Sequence, residues 1–302
     1  MCKKSVKYAG IDIGSNAVRL VVNEIFPGNT FQDSVLNKLT FLRLPLRLGG
    51  DVFLDGAIGE KKIAELIRAM KIYKELMKFY EVDKFRACAT SATRSASNSK
   101  SVIKKVEKET GIKIEVISGE EEAMLIYKTN KYNLPEGNIF LSADLGGGSI
   151  QLTLFKGNEV LSTNSYEIGT VRMINNIVKK SELQKYEKKI AEYSEKYENI
   201  KILGTGGNIN KISKMIGKKY PEISDIEKLY KELSSVSLIE RMNKFDLRDD
   251  RADVILPAAE VYIKLLKTLK ADKIYVPKVG LADGIIRQIF ENNFNAGRNG
   301  NK

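Results

Sequence analysis

Ala9-Gly10-Ile11-Asp12-Ile13-Gly14-Ser15-Asn16-Ala17-Val18-Arg19-Leu20 decides how this chain is read, because a second stretch answers it downstream. The segment from Tyr8 to Phe26 reads as two strands around a turn. Ile11, Ile13, Val18, Leu20 and Val22 supply the apolar positions, and Gly14-Ser15-Asn16 supplies the turn. Asp144-Leu145-Gly146, followed by Ile150-Gln151-Leu152, aligns without a gap with Asp12-Ile13-Gly14 followed by Val18-Arg19-Leu20. A repeat this far apart is not a solenoid period. It implies two related halves, each opening with a strand, a glycine-rich turn and another strand.

The segments between and after these copies alternate in type. Ile63, Leu66, Ile67, Met70, Tyr73 and Met77 recur at helical spacing and predict an amphipathic helix from about Glu60 to Tyr80. A strand over Phe85–Ala89, a small-residue loop over Thr90–Ser97 and a helix from Lys100 to Thr110 follow, the last stopped by Gly111. Strand Ile114–Ile117 leads through Ser118-Gly119 into a helix opening with Glu120-Glu121-Glu122. Beyond the second turn, a helix over Ser181–Tyr197 precedes a strand at Ile200–Leu203, which runs into Gly204-Thr205-Gly206-Gly207 and a further helix. Asp253–Leu269 reads as a buried helix with Pro257 near its first turn, Lys273–Val276 as a strand, and the chain after Gly280–Gly284 as a last helix that frays from about Asn295. Strands alternating with helices argue an α/β protein.

At 302 residues the chain has room for about two domains. Hydrophobic residues at 43% and charged residues at 29% can build a sizeable core, which excludes a disordered chain. No apolar run approaches the roughly 20 residues that span a bilayer, and the basic start leads into a strand, so neither a membrane span nor a signal peptide is expected. Two cysteines, Cys2 and Cys88, exclude a disulfide framework and a thiolate cluster, and point to a reducing cytoplasm. Histidine is absent. That removes Ser-His-Asp and Cys-His catalysis and histidine zinc sites, leaving carboxylates, metal-bound water, backbone amides and basic side chains. Fifty Lys+Arg against 38 Asp+Glu gives +12, which favours a polyanionic partner or simply solubility. The lysines are spread along the chain with no basic tail or basic-aromatic block, so nucleic acid is not the expected partner.

Three glycine-rich turns follow strands: Gly14-Ser15-Asn16, Gly146-Gly147-Gly148-Ser149 and Gly204-Thr205-Gly206-Gly207. A phosphate needs several converging N–H donors and no side chain in the way, and such turns supply both. Glycine turns are common, so the number and strand context carry the argument. No GxxxxGK[ST] stretch occurs, which excludes a P-loop NTPase. Asp12 and Asp144 each precede a turn at a strand end. There a carboxylate either holds a hydrated Mg²⁺ or bonds its own turn. Glu120, Glu121 and Glu122 suit a helix N-terminus, and Ser118 with Glu121 fits a capping box. In a chain without histidine, a positioned glutamate is also a natural base for activating water. Arg94, in a loop of small residues, and Arg19, just past the first turn, are either surface arginines or bidentate phosphate ligands.

Together these residues resemble the exopolyphosphatase/guanosine pentaphosphate phosphatase family. Ala9–Asn16 with Arg19-Leu20 resembles its first phosphate motif, Ala87–Arg94 its "ATSAxR" loop, Glu115–Ala123 its "ISGxEEA" segment and Asp144–Ser149 its second phosphate motif. Gly204–Gly207, Arg251 with Asp253, and Gly280–Gly284 match later blocks in order, so the resemblance runs from about Tyr8 to Phe290. It implies a duplicated actin-like, ribonuclease-H-like fold, with two domains facing each other across a cleft. The expected divisions are 1–125 plus about 286–302, and 126–285. It implies Mg²⁺, or another divalent or monovalent cation, and removal of terminal phosphate from inorganic polyphosphate, guanosine pentaphosphate or both, by a homodimer. By the same resemblance Glu122 is the base, with Glu121 and Gln151 beside it as catalytic candidates. Gly14, Ser15, Asn16, Arg19, Arg94, Gly146, Gly147, Gly148, Ser149, Gly206 and Gly207 bind phosphate, and Asp144 and Asp12 hold the metal. Two departures stand out. Ser149-Ile150-Gln151 replaces the family's usual Ser-Thr-Glu, so one carboxylate is missing, and the expected form is the short two-domain core without the helical domains of long members. Gln151 keeps open a non-hydrolytic sensor of the same ligands; an actin-like phosphotransferase is the other alternative.

Overall fold

The structure, a computed structural model, describes residues 5–130, 134 and 137–299, so Cys2 and residues 300–302 lie outside it. Contacts divide the chain into two units, Met1–Tyr132 with Leu281–Lys302, and Asn133–Gly280.

In the first unit, β1 (Val6–Ile13) and β2 (Val18–Phe26) pair antiparallel around the Gly14 turn. The chain continues through β3 (Val35–Leu44), α1 (Leu48–Asp55), α2 (Glu60–Phe79), β4 (Lys84–Ala89), α3 (Ser91–Ser95), α4 (Ser99–Thr110), β5 (Ile114–Val116) and α5 (Gly119–Asn130). The sheet order is β3-β2-β1-β4-β5, with the first three strands antiparallel and the last two parallel to β1. β1 is central and its last six residues are buried, as a doubly covered strand requires. The predicted apolar stripe of α2 is the buried one, from Ile63 to Met77. Gly111 closes α4 in the left-handed region at φ 71°, the conformation glycine adopts without strain.

Two elements here escape sequence patterning. β3 is an edge strand with exposed Val35 and Phe41, so its apolar residues do not alternate cleanly, and α1 contains two glycines. The stretch Thr90–Ser97, expected as a loop, holds α3 instead. Thr90 N donates to Ile13 O and Arg94 N to Thr90 O, so the small side chains are wound directly onto the end of β1.

The second unit repeats the plan. β6 (Ile139–Leu145), β7 (Ile150–Lys156) and β8 (Glu159–Tyr166) are followed by α6 (Thr170–Ile174), α7 (Lys180–Lys196), β9 (Lys201–Thr205) and α8 (Gly207–Ile216). Then come α9 (Ile223–Ser234), α10 (Leu238–Lys244), α11 (Asp249–Ala252), α12 (Ile255–Thr268) and β10 (Ile274–Tyr275). The order β10-β9-β6-β7-β8 matches the first sheet strand for strand in direction. The predicted repeat is therefore a repeat of topology. Pro257 is the third residue of α12, where its missing N–H is tolerated.

Helix α13 (Leu281–Asn299) returns to the first unit and runs helical past Asn295, where fraying was expected. Leu281, Ala282, Ile285, Ile286 and Phe290 pack against β1, β2 and α5. The unit boundaries lie outside α5 and α13; divisions at 125/126 and 285/286 cut through both helices, whose packing against each other keeps them in one unit. The crossing is close enough that a Cβ on Gly284 stands 2.2 Å from Leu125 O, and one on Gly10 stands 2.3 Å from Ala282 O. Among the described residues, no helix is long and apolar enough to cross a membrane.

Gly284→Ala forces α13 away from α5 and lowers unfolding free energy by about 1–3 kcal/mol, the usual cost of overpacking. Urea denaturation followed by circular dichroism measures it; an unchanged midpoint refutes the close crossing.

Candidate functional site

In the first unit, the turn after β1 is closed by Gly14 N donating to Ala17 O at 3.1 Å. Its carbonyls are held from behind. Ser15 O accepts from Gly49 N at 2.8 Å and Asn16 O from Arg47 N at 3.0 Å. A trans peptide is planar, with its C=O and N–H pointing opposite ways, so these bonds turn the amides of Asn16 and Ala17 outward. Arg47 itself sits at φ 54°, a left-handed conformation uncommon outside glycine.

Asp12 is 5% exposed and ion-paired to Arg19, which lies opposite it in the β1–β2 register. Two expectations change here. Asp12 has its charge met by a guanidinium, which disfavours it as a metal ligand, and Arg19 is engaged by the aspartate. On the parallel side Asp12 faces Cys88, whose thiol burial pushes up to about 12, so it stays protonated and unreactive at neutral pH.

Arg94 and Glu122 come together from α3 and α5. Arg94 Nη1 donates to Ile117 O at 2.6 Å and lies 3.9 Å from Glu122 Oε2. Glu122 is 9% exposed. Ser118 Oγ accepts from Glu121 N at 3.1 Å, the serine half of the expected capping box. The Glu121 carboxylate points elsewhere. It accepts from Arg86 Nη2 at 2.7 Å, and the same guanidinium binds Glu115 at 2.8 Å and Gln288 at 2.5 Å. Successive helix positions diverge by about 100°. Glu121 thus ties α5 to β4, β5 and α13, while Glu122 faces Arg94, and the expected pairing of the two glutamates in one site is corrected.

The second unit holds the most developed loop. Gly146 O accepts from Thr170 N at 3.0 Å, Gly147 O from Val171 N at 2.8 Å and Gly148 O from Arg172 Nε at 2.9 Å. By the same planarity, the N–H groups of Gly147, Gly148 and Ser149 turn outward in succession, the arrangement that receives an anion. The supporting chain comes so near that a Cβ on Gly169 falls 2.3 Å from the Gly147–Gly148 peptide. Asn208 Nδ2 adds a bond to Leu145 O at 3.1 Å, and Arg251 Nη1 holds Asn208 Oδ1 at 3.0 Å. Burial, reinforced by nearby Lys214, Arg251 and Arg248, pushes the Lys211 ammonium down.

Asp144 occupies the place of Asp12, but Gln151 stands opposite it where Arg19 stands opposite Asp12. Gln151 is 2% exposed and donates from Nε2 to Ser149 Oγ at 2.7 Å and Ser165 Oγ at 3.3 Å. Thr205 Oγ1 donates to Asp144 Oδ2 at 2.8 Å. Gly206, at φ 87°, passes so close that a Cβ would stand 2.8 Å from Asp144 Oδ1. Among the described residues, no group of three or more carboxylates or thiols gathers to hold a metal. Mg²⁺ commonly binds through one or two carboxylates plus water and phosphate oxygens, and Asp144 beside two glycine turns fits that pattern.

The candidates named from the sequence lie at the ends of β1, β6 and β9 (the glycine turns and Asp144) and on α3 and α5 (Arg94 and Glu122). The residues behind the turns, Arg47, Gly49, Gly169, Thr170, Arg172, Thr205 and Asn208, are not among them. Gly169-Thr170 follows a strand and carries a faint signal, but nothing in the sequence says that it packs under Gly147.

Gly169→Ala displaces the Gly147–Gly148 peptide and lowers affinity for inorganic phosphate by about tenfold or more, the worth of a hydrogen bond to a charged group. Calorimetric titration reads it, and unchanged affinity in a folded variant shows that the loop does not need this close approach.

Residues 31–293 match the model of the Ppx/GppA phosphatase family. A bifunctional 3-dehydroquinate synthase/phosphatase of Fusobacterium nucleatum is 29% identical over 96% of this chain and 47% of its own length. A guanosine-5'-triphosphate,3'-diphosphate pyrophosphatase of Pseudoalteromonas translucida is 25% identical over 93% of this chain and 58% of its own. The chain thus spans about half the length of these curated relatives. The structure of the Aquifex aeolicus Ppx/GppA family member superposes with a TM-score of 0.77 at 27% identity, covering 96% of this chain and 99% of that one. An exopolyphosphatase from Cytophaga hutchinsonii, 22% identical, shares the fold with a TM-score of 0.83, covering 95% and 98%. With two sheets of one topology, a matching family model over most of the chain and this superposition, the fold is the duplicated actin-like one and the chain belongs to the Ppx/GppA phosphatase family.

Proposed function

We propose that this chain hydrolyses the terminal phosphoanhydride of a linear polyphosphate group, either inorganic polyphosphate or the 5'-triphosphate of guanosine pentaphosphate. The observation that carries the reading is Glu122, a nearly buried carboxylate fixed beside Arg94 in a chain that has no histidine. The pyrophosphatase names of relatives and the family assignment support the substrate class.

In this mechanism Arg94 offers its guanidinium to phosphate oxygens beside Glu122 in the first unit; in the second unit the outward amides of Gly147, Gly148 and Ser149 are donors for phosphate oxygens. Glu122 accepts a proton from water as its oxygen bonds to the terminal phosphorus. The bridging P–O bond breaks, its electron pair leaves on the shortened chain, and inorganic phosphate is released. Asp144 is the residue to hold Mg²⁺, which when bound neutralises charge on the phosphate oxygens. Gln151 cannot accept a proton at neutral pH and offers no charge to a cation. The missing carboxylate at this position keeps a second reading, a protein that binds these ligands without turnover.

Glu122→Gln removes the base and lowers turnover about 10²–10⁴-fold with little change in substrate affinity. Phosphate release under single-turnover conditions measures it. Turnover near wild type ends the assignment, and absence of release from the wild-type protein on both substrates favours the sensor. Gln151→Glu raises the rate or lowers the Mg²⁺ concentration needed. A Mg²⁺ titration after chelation, run on both proteins, reads this, and an unchanged or lower rate throughout shows that no catalytic carboxylate is missing at 151.

A further inference from the structure

Three consecutive peptides face outward in the loop after β6, but they are not held alike. The carbonyls of Gly146 and Gly147 are bound by the backbone amides of Thr170 and Val171, donors that belong to the main chain. The carbonyl of Gly148 is bound by a side chain, Arg172 Nε at 2.9 Å. Arg172 lies on α6 with its side chain 10% exposed, and its Nη2 is 3.5 Å from Glu167 Oε1. Glu167 is half-exposed, so its carboxylate is hydrated whether or not Arg172 is present.

We propose that Arg172 is a positioning residue which, by holding the Gly148 carbonyl, fixes the Ser149 amide in its outward orientation and so completes the anion-binding loop. The inference rests on the phosphate-binding reading of that loop and goes beyond it by separating one amide from the other two. Peptide planarity is the link: a carbonyl held toward α6 obliges the N–H of the same peptide to point the other way. Ser149 is held at its carbonyl by Gly146 N and at its hydroxyl by Gln151, but glycine at 148 permits more backbone conformations than any other residue, so the bond on its oxygen is what selects this peptide's orientation. The guanidinium lies on the carbonyl side of the loop. Its effect on an anion is therefore carried through the peptide and not by direct contact.

The test uses the full chain labelled with ¹⁵N-glycine and ¹⁵N-serine, titrated with inorganic phosphate. In the wild-type protein the amides of Gly147, Gly148 and Ser149 all shift on binding. If none shifts, the phosphate reading and this inference fall together, so that failure is distinguishable from failure of the inference alone. Arg172→Met keeps the length and packing of the side chain but removes the donor. It loses the Ser149 shift, keeps those of Gly147 and Gly148, and weakens phosphate binding about tenfold or more. Arg172→Gln keeps an N–H donor without the charge and retains the Ser149 shift and most of the affinity. A Ser149 shift undiminished in Arg172→Met overturns the proposal. So does equal loss in Arg172→Gln, which shows that the charge matters and not the bond. If the Met variant does not fold, the Gln variant decides by itself, since retention supports the proposal and loss overturns it.

Discussion

The planarity of the peptide bond governs the functional loops of this protein. A phosphate-binding turn needs its N–H groups directed at the ligand, and a peptide cannot turn its N–H outward without turning its C=O inward. Those inward carbonyls then need partners, because an unsatisfied buried oxygen costs free energy comparable to a lost hydrogen bond. Each unit meets the demand in the same way, with the segment that follows the third strand of its sheet. Arg47 and Gly49 hold Asn16 and Ser15 in the first unit; Thr170, Val171 and Arg172 hold Gly146, Gly147 and Gly148 in the second. Much of the local architecture serves this support. Gly169 lacks a side chain because the Gly147–Gly148 peptide occupies the space one would take, and Asn208 braces the end of β6.

Duplication supplies two copies of one frame, and single substitutions give them different chemistry. The aspartates at the ends of β1 and β6 occupy equivalent register positions, yet one is met by Arg19 and the other faces Gln151. An aspartate neutralised by a guanidinium is a stable structural pair. Asp144 instead stands opposite an amide and accepts a threonine hydroxyl on one oxygen. The parallel neighbours differ in the same sense, Cys88 beside Asp12 and Thr205 beside Asp144, so hydrogen-bonding capacity is concentrated in the second copy.

The glutamates of α5 divide their work by helical geometry. Glu121 joins Arg86, Glu115 and Gln288 in a network that links the start of α5 to β4, β5 and α13. Glu122, one position on, is nearly buried and beside Arg94, whose own guanidinium is anchored on Ile117 O. Two residues identical in chemistry thus do different things, one fixing the helix and the other set beside a guanidinium.

From the sequence alone the duplicated plan, the glycine turns, the α2 stripe and the absence of histidine chemistry were legible. Each is a local pattern: two matching strand–turn–strand stretches, a helical period, a composition. The candidate residues Glu122, Arg94 and Asp144 were legible through ordered motifs. The edge strand β3 was not, since none of its residues is buried, so neither face requires a consistent apolar row. Nor was the support of the loops, because Gly169 and Arg172 lie more than 20 residues from the peptides they hold, and no periodicity connects them. The different fates of Glu121 and Glu122, and of Asp12 and Asp144, were decided only in three dimensions. Which carboxylate meets a guanidinium depends on strand register and helix rotation, and these are fixed by the packing of whole elements.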